Sequence, residues 1–185
     1  MNIWNQDNFI KAWNFASQAH KGQFIPGANI PYINHIGNVV MEVMAVIAHD
    51  LNIANPDLLV QCALLHDVIE DTGCSHKTIK EKFGVEVADG VSALSKDANL
   101  PSKAEQMQDS IARIRKQPKE IWMVKLADRI TNLQPPPKHW NKAKVKKYRN
   151  EAILILEKLG EANPYLTQRL KKKIAEYGQY LFSIS

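Results

Sequence analysis

The sequence predicts an all-α protein, a single compact helical bundle of roughly nine helices. Apolar residues recur at helical spacing along almost the whole of its 185 residues. Gly, Pro and Asn fall at intervals that mark helix ends. No run alternates polar and apolar residues as a strand does, and no Asn-Gly hairpin is present. The length suits one domain, residues 1–185, with a core of its own. A content of 45% hydrophobic and 23% charged residues is that of an ordinary globular chain.

The elements follow in order. Asp7 is placed to cap a helix that buries Ile10, Trp13 and Ala16. Residues 22–31 form a loop, with Pro26-Gly27 as its turn. A helix is expected from about Ile36 to Ala48. Asn55-Pro56-Asp57 opens another, running through Glu70 and ended by Gly73. Short helices follow from Lys77 to Phe83, stopped by Gly84, and from Glu86 to Leu94. Residues 95–101 are polar and end in Pro101. Ser102, with Glu105 three residues on, has the form of a capping box for a helix to about Lys116. Pro118 begins a helix carrying Ile121, Val124, Leu126 and Ile130, which Pro135-Pro136-Pro137 terminates. The last two helices lie near 141–159 and 164–181, separated by Gly160 and Asn163-Pro164.

Charge is unevenly placed. Residues 1–137 hold 13 Lys/Arg and 15 Asp/Glu, whereas residues 138–185 hold 11 and 4. The basic C-terminal helices, about 138–182, suit an anionic partner such as a phosphorylated small molecule. Nucleic acid is not expected, because no helix-turn-helix or zinc-finger pattern occurs. No apolar run is long enough to span a membrane. Cys62 lies in an apolar segment and Cys74 in a turn. So few cysteines, with no signal-like N-terminus, point to the cytoplasm. Trp4, Phe182 and Ile184 near the termini leave monomer and homodimer equally open.

The chemistry concentrates in Leu64-Leu65-His66-Asp67-Val68-Ile69-Glu70-Asp71-Thr72. On a helix, His66, Asp67, Glu70 and Asp71 fall within an arc of about 140°. Four ionisable groups on one face of an apolar segment are costly to bury unpaired, and a metal ion resolves that cost. Glu70 and Asp71 also sit near a helix C-terminus, where the macrodipole disfavours negative charge. Two further residues stand out. His35 follows Pro31-Tyr32-Ile33-Asn34 at a loop–helix junction. Asp128 lies mid-helix in Val124-Lys125-Leu126-Ala127-Asp128-Arg129, where neither Lys125 nor Arg129 is expected to project toward it.

The ordered set His35, His66-Asp67, Asp128 resembles the metal pattern of the HD superfamily. Three longer strings resemble the hydrolase domain of the RelA/SpoT family and its stand-alone small alarmone hydrolases: residues 31–35, 63–72 and 124–133. His20-Lys21-Gly22-Gln23 is similar to that family's first motif, and the metal-site core of the resemblance covers about 9–135. The resemblance implies an enzyme that removes the 3′-pyrophosphate of guanosine tetra- or pentaphosphate, with one divalent ion, Mn²⁺. It makes His35, His66, Asp67 and Asp128 the metal ligands, and Glu70 and Asp71 the pair that activates or positions water. It places Lys21, Tyr32, Asn34, Asn132, Lys144 and Tyr148 at the nucleotide, and Lys125 is a further cation for the phosphates. Two alternatives stand beside it: an HD phosphohydrolase acting on another nucleotide or phosphorylated metabolite, and a nucleotide sensor without turnover.

The chain departs from the family in three places. Phe24-Ile25-Pro26 replaces a basic pair, leaving Phe24 as a side chain to stack on the base. Ile36 stands where the family has Pro, and Lys144 where it commonly has Arg.

Overall fold

The computed structural model describes residues 4–183, so Ile184 lies outside the described residues. Among these residues there is no strand, only an isolated bridge between Phe24 and Pro31. Eleven α-helical segments and one 3-10 turn account for the architecture. They are α1 (Gln6–Ala19), α2 (Ile33–His49), α3 (Pro56–Leu65), α4 (Val68–Thr72), α5 (His76–Phe83), α6 (Val85–Leu94), α7 (Lys103–Ile114), α8 (Lys119–Asn132), α9 (Lys142–Leu159), a 3-10 turn (Gly160–Ala162), α10 (Pro164–Tyr177) and α11 (Tyr180–Ser183).

Local chemistry sets most of the boundaries. Asn55, Ser75, Ser102, Asn141 and Asn163 each accept a backbone N–H of the helix that follows. Gly73, at φ 72°, takes the left-handed conformation that ends α4. The first cap is Asn5 rather than Asp7: its side chain accepts from the backbone of Asp7 and Asn8, and Asp7 falls inside the first turn. At the capping-box position the Ser102 hydroxyl also donates to the Glu105 carboxylate at 2.8 Å.

Three boundaries differ from expectation. α2 begins at Ile33, three residues early. With Ile36 rather than a proline after it, His35 is free to enter the helical region. α8 ends at Asn132, before the prolines, because Gln134 precedes Pro135 and is biased away from helical backbone. The expected helix 56–70 is broken between His66 and Asp67. Asp67 turns out of the helix at φ −102°, ψ −2°, and starts α4.

α8 is the hub. Every residue from Glu120 to Ile130 is buried, and α2, α3, α6, α9 and α10 pack around it. α3 is buried on all sides and holds Cys62 in the core. Burial of more than forty apolar side chains in one cluster drives the assembly. One long-range ion pair braces it: Arg169 on α10 makes a two-pronged contact with Glu42 of α2, with Nε 3.0 Å from Oε2. Trp4 packs on Phe9 at 5.5 Å, whereas Phe182 is exposed. Among the described residues, no helix is long and apolar enough to cross a membrane.

Candidate metal centre and adjoining cavities

Two helices and the break between two others converge on one point. The first turn of α2 supplies His35, the α3–α4 break supplies His66 and Asp67, and the middle of α8 supplies Asp128. His35, His66 and Asp128 each present a ligand atom within 4.8 Å of the others. His35 Nε2 lies 3.3 Å from His66 Nε2, and Asp128 Oδ1 lies 3.5 Å and 3.9 Å from them. Asp67 Oδ2 joins at 2.9 Å from His66 Nε2 and 3.6 Å from His35 Nε2. The helix break makes this possible, because it turns Asp67 back toward its neighbour His66.

The donor set fits a divalent cation. His66 Nδ1 lies 2.8 Å from the Ala63 carbonyl, so its N–H is used there and the Nε2 lone pair faces the cluster. Two buried imidazole nitrogens then confront each other between two carboxylates. Nitrogen and oxygen donors of this kind suit a first-row divalent ion. Without one, the electrostatics are those of trapped charge. Burial pulls His35 down, but Asp128 and Asp67 more than offset it and push its pKa up to about 9. Burial would raise Asp128, yet Lys125 and the two histidines hold it well below the usual carboxylate range. Asp67 is lowered against the same burial by His66 and His35.

Neighbouring side chains fix the carboxylates. The Tyr32 hydroxyl donates to Asp67 Oδ2 at 2.6 Å, and burial, then Asp67, pushes its own pKa far up. Lys125 does project toward Asp128: its ammonium lies 3.1 Å from Oδ2, and both side chains are buried. That pairing corrects the expectation that neither neighbour would reach Asp128. It also commits Lys125 to the interior. The Asn132 amide donates to the other Asp128 oxygen.

The remaining expected residues separate. Glu70 does not join the donors. It accepts from the Lys96 ammonium at 2.9 Å and from the Lys96 backbone N–H at 2.8 Å. The chain leaves the helix between Leu65 and Val68, so the unbroken helix that would have set the four groups on one arc does not form. Asp71 has its carboxyl pKa raised by partial burial, then by Asp67 and Glu70. Asn34 turns its amide back to the Pro31 carbonyl at 3.1 Å, and Lys21 is exposed in the turn after α1.

One cavity adjoins the centre and a second borders the first. The first, of about 230 Å³, has His35 on its wall together with Ile25, Pro26, Asn132, the prolines 135–137, Trp140 and Tyr148. Its wall carries no lysine or arginine. Phe24 is not part of it and is half exposed; Ile25 and Pro26 face the cavity instead. The other, of about 530 Å³, shares Trp140 and Tyr148 and is lined by Lys96, Lys103, Lys144 and Lys147. Lys144 rests 4.4 Å over the Trp140 ring, and the Arg129 guanidinium 4.5 Å over Tyr148.

The sequence reading passed over His20 and Gln23 as individual residues. His20 is buried, with Nδ1 2.7 Å from Gln23 Oε1, and the Gln23 amide donates to the Asp71 carbonyl at 2.8 Å. The signal was the His-Lys-Gly-Gln string itself: Gly22, at φ 80°, makes the turn that brings Gln23 back under His20.

The sequence pattern of the HD domain matches residues 12–164. The chain belongs to the HD domain family. Relatives of this HD domain include guanosine-3′,5′-bis(diphosphate) 3′-pyrophosphohydrolase MESH1 of Danio rerio, 29% identical over 183 residues, covering 96% of this chain and 98% of the relative. The enzyme of the same name from Xenopus tropicalis is 30% identical over 174 residues, covering 91% and 94%. Among solved structures, a metazoan ortholog of SpoT described as hydrolysing ppGpp superposes with a TM-score of 0.81 at 26% identity, covering 95% of this chain and 98% of that one. In an HD domain the His-His-Asp cluster is a divalent-metal site.

Proposed function

We propose that the protein hydrolyses guanosine 3′,5′-bis(diphosphate), and its 5′-triphosphate counterpart, to pyrophosphate and GDP or GTP, with manganese as the resident ion. One observation carries the reading: His35 belongs both to the donor cluster and to the wall of a neutral aromatic cavity that shares Trp140 and Tyr148 with a lysine-lined one. A purine nucleoside phosphorylated at both ends of its ribose has the matching shape. Its base suits the neutral cavity, its 5′ phosphates the lysines, and its 3′ diphosphate the donor cluster. The names of the near full-length relatives support the same substrate.

Held by His35, His66, Asp67 and Asp128, a divalent ion supplies positive charge for phosphate oxygens and lowers the pKa of water. The chain does the rest. Water oxygen bonds to the phosphorus attached to the 3′ oxygen, the P–O3′ bond breaks, and the proton lost by water ends on the 3′ oxygen. Asp71 takes that proton, and its raised carboxyl pKa makes it the better base. Glu70, held on both oxygens by Lys96, orients the water. Tyr32, Lys125 and Asn132 keep the two aspartates in place through the transfer. Trp140 and Tyr148 offer ring faces to the base.

The test is pyrophosphate release from guanosine tetraphosphate by purified protein, with Mn²⁺ and with a chelator. Metal-dependent release is expected. No release from a preparation with its metal bound would sink the guanosine reading. It would favour a second one, another nucleotide, which draws on the apolar Ile25 and Pro26 in place of a basic pair.

A further inference from the structure

The lysine-lined cavity does not end at the nucleotide site. A neighbouring cavity of about 420 Å³ shares Met107, Ala143, Lys147 and Glu151 with it, so the two form one trough between α7 and α9. Its floor is apolar, made by Met107, Ala143 and Leu154. Lysines dominate the rim. Lys96 is already spent on Glu70, and Lys144 lies over Trp140. Lys103, Lys146 and Lys147 have no carboxylate partner among the described residues. The single acid, Glu151, faces Arg129 at 3.8 Å. Unpaired ammonium groups along one trough describe a seat for an extended polyanion.

We propose that this trough holds the 5′-phosphate chain of the nucleotide and that its outer half, at Lys146 and Lys147, reads the length of that chain. The protein then favours a 5′-triphosphate over a 5′-diphosphate. The inference rests on the nucleotide reading given above for the same site. Lys103 and Lys144 lie in the inner cavity, within reach of the first two phosphates. Lys147 stands where the two cavities meet, and Lys146 lines only the outer one, so the third phosphate is the one they meet.

The experiment is calorimetric binding of GMP, GDP and GTP to the metal-loaded full chain. It is paired with kcat/KM for guanosine penta- and tetraphosphate at the same ionic strength. GTP should bind about threefold more tightly than GDP, as befits one more exposed charge contact, and the kcat/KM ratio should follow. In a variant carrying Lys146→Gln and Lys147→Gln, the step from GDP to GTP should vanish while the step from GMP to GDP remains. Equal affinity for GDP and GTP in the unaltered protein overturns the proposal and leaves tetraphosphate hydrolysis untouched. So does a GDP-to-GTP step that survives the double substitution. If both alarmones resist hydrolysis while the binding steps behave as stated, the trough stands and the hydrolase reading falls.

Discussion

His35 and His66 stand 31 residues apart in sequence, yet their Nε2 atoms face each other at 3.3 Å between the carboxylates of Asp67 and Asp128. Those carboxylates outweigh burial and push His35 up to about 9. A metal ion must therefore displace protons at neutral pH. Metal affinity should weaken as pH falls from about 8 to about 6, with proton uptake by the buffer on binding. Titration calorimetry in two buffers of different ionisation enthalpy reads both, and a pH-independent affinity would contradict the geometry. In the metal-free protein the sign reverses for stability. The charged His35 contributes fully below its ordinary value of 6.5, and that contribution is lost as pH rises through about 9.

Asp128→Ala should abolish metal binding and also destabilise the metal-free protein. It leaves the buried Lys125 ammonium without its partner at 3.1 Å. The cost of orphaning a buried charge is about 3 kcal/mol. Urea unfolding of the chelated variant, with metal analysis alongside, checks both halves.

Glu70→Gln should keep the metal and lose about a hundredfold in kcat, the scale expected when the attacking water is no longer held for the base that takes its proton. Asp71→Asn should fall at least as far. A Glu70→Gln protein with its metal bound and near-normal turnover would remove Glu70 from the mechanism.

Tyr148 walls both cavities and carries the Arg129 guanidinium on its ring. Tyr148→Ala should raise KM about tenfold, the worth of one stacking partner, with a smaller change in kcat. Tyr148→Phe should restore most of the loss. Steady-state kinetics on the two variants distinguish a ring contact from a hydroxyl contact.

Arg169→Met should cost about 2 kcal/mol, because it strands the buried Glu42 carboxylate. The guanidinium is 35% exposed, so the loss is smaller than for a pair wholly out of water. Metal content and kcat should not change, since α10 supplies none of the proposed metal ligands. Thermal unfolding and activity on the same sample decide it.

Helix positions were legible because caps and breakers act locally. Asn55-Pro56, Ser102 and Gly73 did in the structure what their chemistry predicts. The candidate metal donors stood out through the ordered His35, His66-Asp67, Asp128 set that resembles the HD pattern, and the fold gathers His35, His66 and Asp128 within 4.8 Å of one another. Lys125 reaches Asp128 because residues three apart share a helix face, a spacing that favours the pair and that the sequence already displayed. Phe24, which the altered loop offers as a stacking side chain, is half exposed and absent from the cavity wall, where Ile25 and Pro26 stand instead, a placement that only the folded loop decides.

By itself, the sequence determined the helical class and most helix ends, which follow from short-range pattern, and its resemblance to the HD superfamily singled out the candidate metal donors. Tertiary structure alone decided the break at Asp67. Nothing local interrupts that helix, and the turn is stabilised by contacts to Tyr32 and His35, more than thirty residues away. It also decided that Glu70 meets Lys96, and that lysines on α9 face α7 across a trough. Those relationships depend on how helices pack around α8, and packing is a property of the whole core rather than of any segment.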